Sequence, residues 1–313
     1  MIFKNYILAA IGGLMIVAPF ARGADAPTGV AATQPAPIPM LKAETPLVID
    51  GDLNKPEWKK VAPIRVDYIQ SKKGVLSDTP RETVRYLWDE HYLYIGYEFF
   101  TKNLKAQGTG KKKGPEGNER EGAEIFVPDK NVDIAEFFIT FDDPNFFWEV
   151  HLNELNQFND LRITVADPTW KLNKQANVPY GIVFGSHDYI EDEGPYKLTT
   201  AVKMLPKADG KPSTVNDPSD LDTGYTAEIR LPWYGLGAPK TRRTTLQIPP
   251  KKKGDRATTA PGPWKMAGEQ INILAVYQDA DLPERYHHSS ATKPPGGWFH
   301  QSEPYWQVFK LVD

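Results

Sequence analysis

Two apolar segments, residues 82–88 and 92–100, are separated only by Asp89-Glu90-His91, and no other feature of the chain restricts its fold as strongly. Both are rich in β-branched and aromatic residues, and so short a polar connection favours a tight antiparallel return. The same pattern recurs downstream. Residues 123–127, 134–140, 147–153, 161–165, 180–185, 196–204, 225–231, 271–278 and 306–311 read as further strands, separated by Gly, Pro, Asn and Asp. Leu47-Val48-Ile49-Asp50-Gly51 reads as a short β segment ending in a turn, and Asn54-Lys55-Pro56-Glu57-Trp58 as a capped helical turn with proline in its first positions. Helical periodicity is otherwise nearly absent. Short strands without alternating helices predict an all-β fold, an antiparallel β-sandwich with jelly-roll or immunoglobulin-like layers, long loops and one short helical turn. The long loops fall at residues 102–121, 167–178, 206–224 and 239–268. Trp58, Trp88, Trp148 and Trp233 lie in or beside strand and turn patterns and read as core.

The N-terminus carries Lys4, an apolar stretch over residues 6–20 and then Ala21-Arg22-Gly23-Ala24, the order of a secretory signal peptide over residues 1–23. The stretch is short for a transmembrane helix, which needs ~20 residues. Residues 24–45 are rich in Ala, Pro, Thr and Gln and are expected to form a disordered linker. Residues 46–313 then form the folded β-sandwich domain. This organisation predicts a secreted or periplasmic protein with no membrane attachment after cleavage. Cysteine is absent, which excludes a lipoprotein anchor and leaves stability to a hydrophobic core. Removing the leader leaves 35 basic against 40 acidic side chains, a formal charge of -5 in place of -3. So mildly acidic a surface has no electrostatic footprint for nucleic acid or anionic lipid.

Catalytic motifs are missing. The six histidines sit in no recognisable nucleophile motif, no Gly-x-Ser-x-Gly elbow occurs, and Gly108-Thr109-Gly110 has no helix behind it. His287-His288 lies on an extended segment, where adjacent side chains point to opposite faces and do not share a metal. Lys111-Lys112-Lys113 and Lys251-Lys252-Lys253 read as solvated loop tips. Asp142-Asp143 and the set Asp217, Asp220 and Asp222 lie in turn-like segments that favour aspartate for backbone reasons. The latter set offers oxygen ligands to a structural calcium ion, without EF-hand spacing.

One strand is more informative. Alternation along residues 147–153 puts Trp148, Val150 and Leu152 on one face and Glu149, His151 and Asn153 on the other. The first set suits a core. The second places an acceptor, a ring that both donates and accepts, and an amide in a row, which suits a polyhydroxylated ligand. Aromatic rings complete a sugar site by stacking on the apolar face of a pyranose. Trp298, after Pro294-Pro295-Gly296-Gly297, stands in a loop from which its ring could project.

Several segments together resemble the family 9 carbohydrate-binding modules and their bacterial relatives. They are Ile49-Asp50-Gly51-Asp52-Leu53 with Glu57-Trp58, the hairpin Val84 to Ile95, Glu124-Ile125-Phe126-Val127, residues 147–160, residues 196–204, Gly224 to Trp233, and Trp298-Phe299-His300 through Leu311, all in family order. The resemblance implies a β-sandwich that holds a terminal sugar or short oligosaccharide, has no catalytic residues and requires no cofactor, with calcium ions serving as structural supports in some members. It also implies partnership with glycan-degrading enzymes and a role in polysaccharide catabolism. Position by position, Trp298 matches one of two tryptophans that sandwich the sugar, and Glu124, His151 and Asn153 fall at polar contacts. The second tryptophan is replaced by Gly117-Asn118-Glu119-Arg120-Glu121, where Asn118 becomes the candidate contact. Trp264 or Trp170 could supply the missing wall. Two other classes stand beside this one: a glycoside hydrolase using Glu121 or Glu124 with Glu149, and a haem-binding redox sandwich with His and Met ligands.

Overall fold

A computed structural model describes residues 35–66, 68–69, 82–106, 119–120, 132–141, 146–165, 182–184, 190–249, 258–281, 286–289 and 306–313. In chain order the strands begin with β1 (Ile38–Leu41), β2 (Ile64–Arg65), β3 (Tyr68–Ile69), β4 (Thr83–Trp88), β5 (Tyr92–Phe99) and β6 (Glu119–Arg120). They continue with β7 (Ile134–Thr140), β8 (Phe146–Leu152), β9 (Gln157–Val165), β10 (Ile182–Phe184), β11 (Thr199–Met204) and β12 (Tyr225–Pro232). The last are β13 (Arg243–Ile248), β14 (Thr258–Trp264), β15 (Gln270–Gln278), β16 (Tyr286–His288) and β17 (Gln307–Val312). Helical turns occur at α1 (Pro56–Lys59), α2 (Trp233–Leu236) and a 3-10 turn at Lys240–Arg242. No helix among the described residues is long and apolar enough to cross a membrane.

Sheet one runs β1-β17-β15-β7-β8-β9-β10, with β16 on β15, β3 on β16 and β6 on β9; sheet two runs β11-β12-β5-β4-β2. Pairing is antiparallel except for β1 on β17 and β6 on β9. Period-two alternation explains how the sheets pack. Ala135, Phe137 and Ile139 of β7 and Ile271, Ile273, Ala275 and Tyr277 of β15 share one core with Val84, Tyr86, Ile95, Tyr97, Ala227 and Ile229 of sheet two. The intervening Phe138, Leu274 and Val276 join a second apolar cluster on the outer face of sheet one. Leu87, Tyr92 and Tyr94 do the same on the outer face of sheet two, against Leu47, Leu53 and Trp58. Central strands buried on both faces read as continuous apolar runs, as Ile273 to Tyr277 does. The expected antiparallel β-sandwich is therefore the observed fold, and Trp58, Trp88, Trp148 and Trp233 are all buried in it.

The structure corrects several expected boundaries. Residues 47–51 form no strand; they are a loop held by Glu228 of β12, whose side chain is fully buried. Its carboxylate accepts the backbone N–H of Asp50 (2.8 Å) and Gly51 (2.8 Å), the indole N–H of Trp58 (2.7 Å) and the ammonium of Lys55 (2.6 Å). Gly51 is left-handed at φ 81°, and a Cβ there would lie 2.8 Å from the Lys203 backbone nitrogen. Opposite Glu228 on β5 stands Gly96, where a Cβ would approach Leu53 to 2.9 Å and the Trp58 ring to 3.1 Å. Ile38–Leu41, expected within the disordered linker, forms β1, and Met40 is buried in the core, so the folded domain starts before residue 46. The expected loop 239–268 contains the β13–β14 ribbon; exposure along β13 gave it no apolar alternation to read. A second helical turn, α2, joins the one expected. The signal peptide and the strand at 123–127 lie outside the described residues.

Acidic groups are buried at the β8–β9 turn and beside it. Glu154 is buried with neither carboxylate oxygen partnered, and burial first, then the charges of Asp133 and Asp222, push its pKa well above the usual value. Burial raises Asp133 to about 7, although the N–H groups of Ala280 and Lys105 oppose the shift. A carboxyl whose folded pKa exceeds its unfolded value makes the native state bind more protons, so stability falls as pH rises above the unfolded value. For Asp133 that window runs from 3.8 to about 7.

Two outcomes are expected. Glu228→Ala leaves the N–H groups of Asp50, Gly51 and Trp58 without their acceptor and breaks the buried pair with Lys55, which keeps Asp50 and the Val48 carbonyl, and lowers unfolding free energy by about 3 kcal/mol, measured by urea titration. Glu154→Gln removes a buried unpartnered carboxyl, raises the urea midpoint at pH 7 and flattens the decline in stability above pH 4.5, while leaving the acid limb unchanged.

Candidate functional site

β8 is the strand on which the two faces of sheet one diverge chemically. Trp148, Val150 and Leu152 enter the core between the sheets, as the alternation predicts. Glu149 and His151 point the other way. In register, His151 stands opposite Glu136 of β7 and Asn159 of β9, and Glu149 opposite Phe138 and Leu161. Cross-strand partners share a face, so these residues form one patch. His151 Nε2 lies 3.1 Å from Glu149 Oε1 and 4.0 Å from Glu136 Oε1. Burial works against a charge on His151, but its hydrogen bond with Glu149 and the charges of Glu136 and Glu149 outweigh it and raise the pKa. The Asn159 amide nitrogen is buried without a hydrogen-bond partner. On the same outer face lie Phe138, Phe147 and Trp306, with Trp306 5.4 Å from Phe147 in an edge-to-face arrangement. The patch thus combines hydrogen-bonding groups of both polarities with an aromatic cluster.

The predicted contacts fare unequally. His151 belongs to the patch but is 3 % exposed, so this stretch is not a solvent-facing strand. Asn153 follows the end of β8 and organises the turn. Its Oδ1 accepts the N–H groups of Leu155 (3.1 Å) and Gln157 (2.9 Å), and its Nδ2 donates to Gln157 Oε1 (2.6 Å). Trp298, Glu124, Asn118, Glu121 and Trp170 lie outside the described residues. Trp264 cannot supply a second wall to this patch, because it is buried in the core between the sheets with its indole N–H 3.2 Å from Glu193 Oε2. Glu136 and Asn159 were not anticipated. Glu136 is a lone acid in an otherwise apolar strand, and Asn159 precedes the segment 161–165 that reads as the strand, whereas β9 starts at Gln157.

Glu136, Glu149 and His151 place one potential ligand atom each within 4.8 Å of one another. Two carboxylates and an imidazole suit a borderline divalent cation better than calcium, which takes six to eight oxygens. In the Asp217, Asp220 and Asp222 set most carboxylate oxygens are engaged within the protein. Asp222 accepts the N–H groups of Leu104 and Thr214, Asp220 pairs with Lys207, and Asp217 binds Ser219 within its own turn.

No curated protein matches the chain. A family 9 carbohydrate-binding module from Caldicellulosiruptor kristjanssonii, solved in complex with glucose, aligns at 13 % identity and a TM-score of 0.44 over 87 % of this chain and 94 % of that one. The module from the same organism in complex with cellotriose aligns at 14 % identity and a TM-score of 0.44 over 88 % and 93 %. Residues 49–175, which include β4, β5 and β7 to β9, match the family model described as carbohydrate family 9 binding domain-like.

Proposed function

We propose that the protein binds carbohydrate without catalysis, through the outer face of sheet one at Glu136, Glu149, His151 and Asn159. The observation that supports this most is the buried, unpartnered Asn159 amide directly across from His151, in the strands matched by the family model. A sugar hydroxyl both donates and accepts, so it can take the Asn159 N–H while giving its own proton to a carboxylate. Trp298, Glu124 and Asn118 are the further contacts in this reading, with Trp298 as the stacking platform. Export to the periplasm or the medium and service to glycan-degrading enzymes in polysaccharide catabolism complete it.

A glycan array followed by calorimetry tests the reading. Binding to at least one neutral oligosaccharide class is expected, with Asn159→Leu and Trp298→Ala each weakening it about tenfold, equivalent to ~1.4 kcal/mol. An array silent at high protein concentration overturns the proposal, and release of reducing sugar would move the chain to the hydrolases. Dialysis against EDTA is expected to leave the affinity unchanged; loss on chelation and recovery with a divalent cation would assign Glu136, Glu149 and His151 to a metal.

A further inference from the structure

An opening lies on the opposite side of β8. It is a cleft of about 840 Å³ between the start of β8, the facing part of β9, and the segment from α2 to the β13–β14 ribbon. That volume falls within the range of ~300–1,000 Å³ typical of small-molecule sites. Trp148 lines it, with Arg162 beside Trp148 in register on β9, and Phe146, Tyr234, Lys240 and Arg243 around them. Because successive side chains of a strand alternate, Trp148 and the Glu149–His151 patch occupy opposite faces. The cleft is therefore separate from the site proposed above.

Its chemistry is cationic and aromatic. The Arg162 guanidinium lies 4.5 Å from the centre of the Phe146 ring, and that of Arg243 lies 5.5 Å from Tyr234 and 5.4 Å from Trp264. Rings hold guanidinium groups in place while leaving their in-plane N–H donors to recognise carboxylates. Among the described residues, the lining holds Arg162, Lys240, Arg243 and one acid, Glu191. Glu193 is engaged already, paired with Arg243 and accepting the Trp264 N–H. Two buried donors on lining side chains, Trp148 Nε1 and Arg243 Nε, have no acceptor. Buried N–H groups without acceptors are uncommon in native proteins and call for an explanation. A ligand rich in acceptors and bearing negative charge supplies one. Glu191 accepts hydroxyl protons in return, and the aromatic walls suit a ring with an apolar face.

We infer that this cleft binds an acidic sugar, a uronate whose carboxylate faces Arg162, Lys240 and Arg243. The test uses the full chain with 15N-labelled tryptophan, titrated with a uronic acid disaccharide and with its neutral counterpart. The Trp148 indole resonance, identified by its loss in Trp148→Phe, is expected to shift and saturate with the uronate and to stay in place with the neutral sugar. Lys240 is exposed in a short turn, so Lys240→Glu should preserve the remaining indole resonances and weaken uronate affinity about tenfold. Asn159→Leu should leave the uronate affinity unchanged. A Trp148 resonance that does not move, one that moves equally with the neutral sugar, or an affinity indifferent to Lys240→Glu overturns the inference. The outer-face site is judged by neutral-glycan binding and its sensitivity to Asn159→Leu, so either proposal can fail while the other stands.

Discussion

The buried carboxylate of Glu228 is the interaction on which the rest of the outer layer depends. A charged group without solvent needs a full set of donors, and residues 50–58 supply two backbone N–H groups, an ammonium and an indole. The consequence runs in both directions. The loop 47–55 has no sheet partner to fix it, so Glu228 sets its path, and the loop in turn delivers Trp58 and Leu53 onto the outer face of sheet two. Gly96 completes the arrangement by leaving the space into which those side chains settle. Sheet two is thereby covered on the side away from the core, which is why β5 is apolar at nearly every position.

Legibility in the sequence followed burial. Strands in the middle of the sheets, such as β7, β12 and β15, were bounded to within a residue because their apolar and β-branched residues stop at turn-forming Gly, Asp or Pro. The β13–β14 ribbon was missed because an exposed two-stranded element with Pro261 and Pro263 has neither alternation nor a clean turn. β1 was hidden for another reason: its prolines and small residues belong compositionally to a linker, while its pairing depends on a strand some 270 residues away. A single sequence carries no trace of such a partner.

For the site, the sequence showed that β8 has a polar face but not how much of that face is shared. His151 acquires its environment from Glu136 and Asn159, which belong to neighbouring strands and become visible only with the register. Asn153 illustrates the opposite error. Two residues beyond His151 the strand has ended, and a side chain that continued the alternation on paper is engaged in its own turn. Trp264 was read as a loop residue available to a ligand, yet it ends β14 on the inner side of an otherwise exposed ribbon and is buried in the core. β8 itself separates two chemically different surfaces, one of carboxylates and amides and one of guanidinium groups and rings, at a separation no larger than the thickness of a sheet.

The pairing of β1 with β17 bears on how the chain reaches this state. Trp88 donates its indole N–H to both Met40 (3.0 Å) and Val312 (3.1 Å), so one side chain of sheet two fastens both strands at the edge of sheet one. Chain synthesis proceeds from the N-terminus, and β1 emerges long before the strand it needs. Until β17 pairs, β15 lacks this edge partner and the Trp88 indole lacks its Val312 acceptor. Contacts of such large sequence separation are slow to form, and until they do β15 presents an unpaired strand edge.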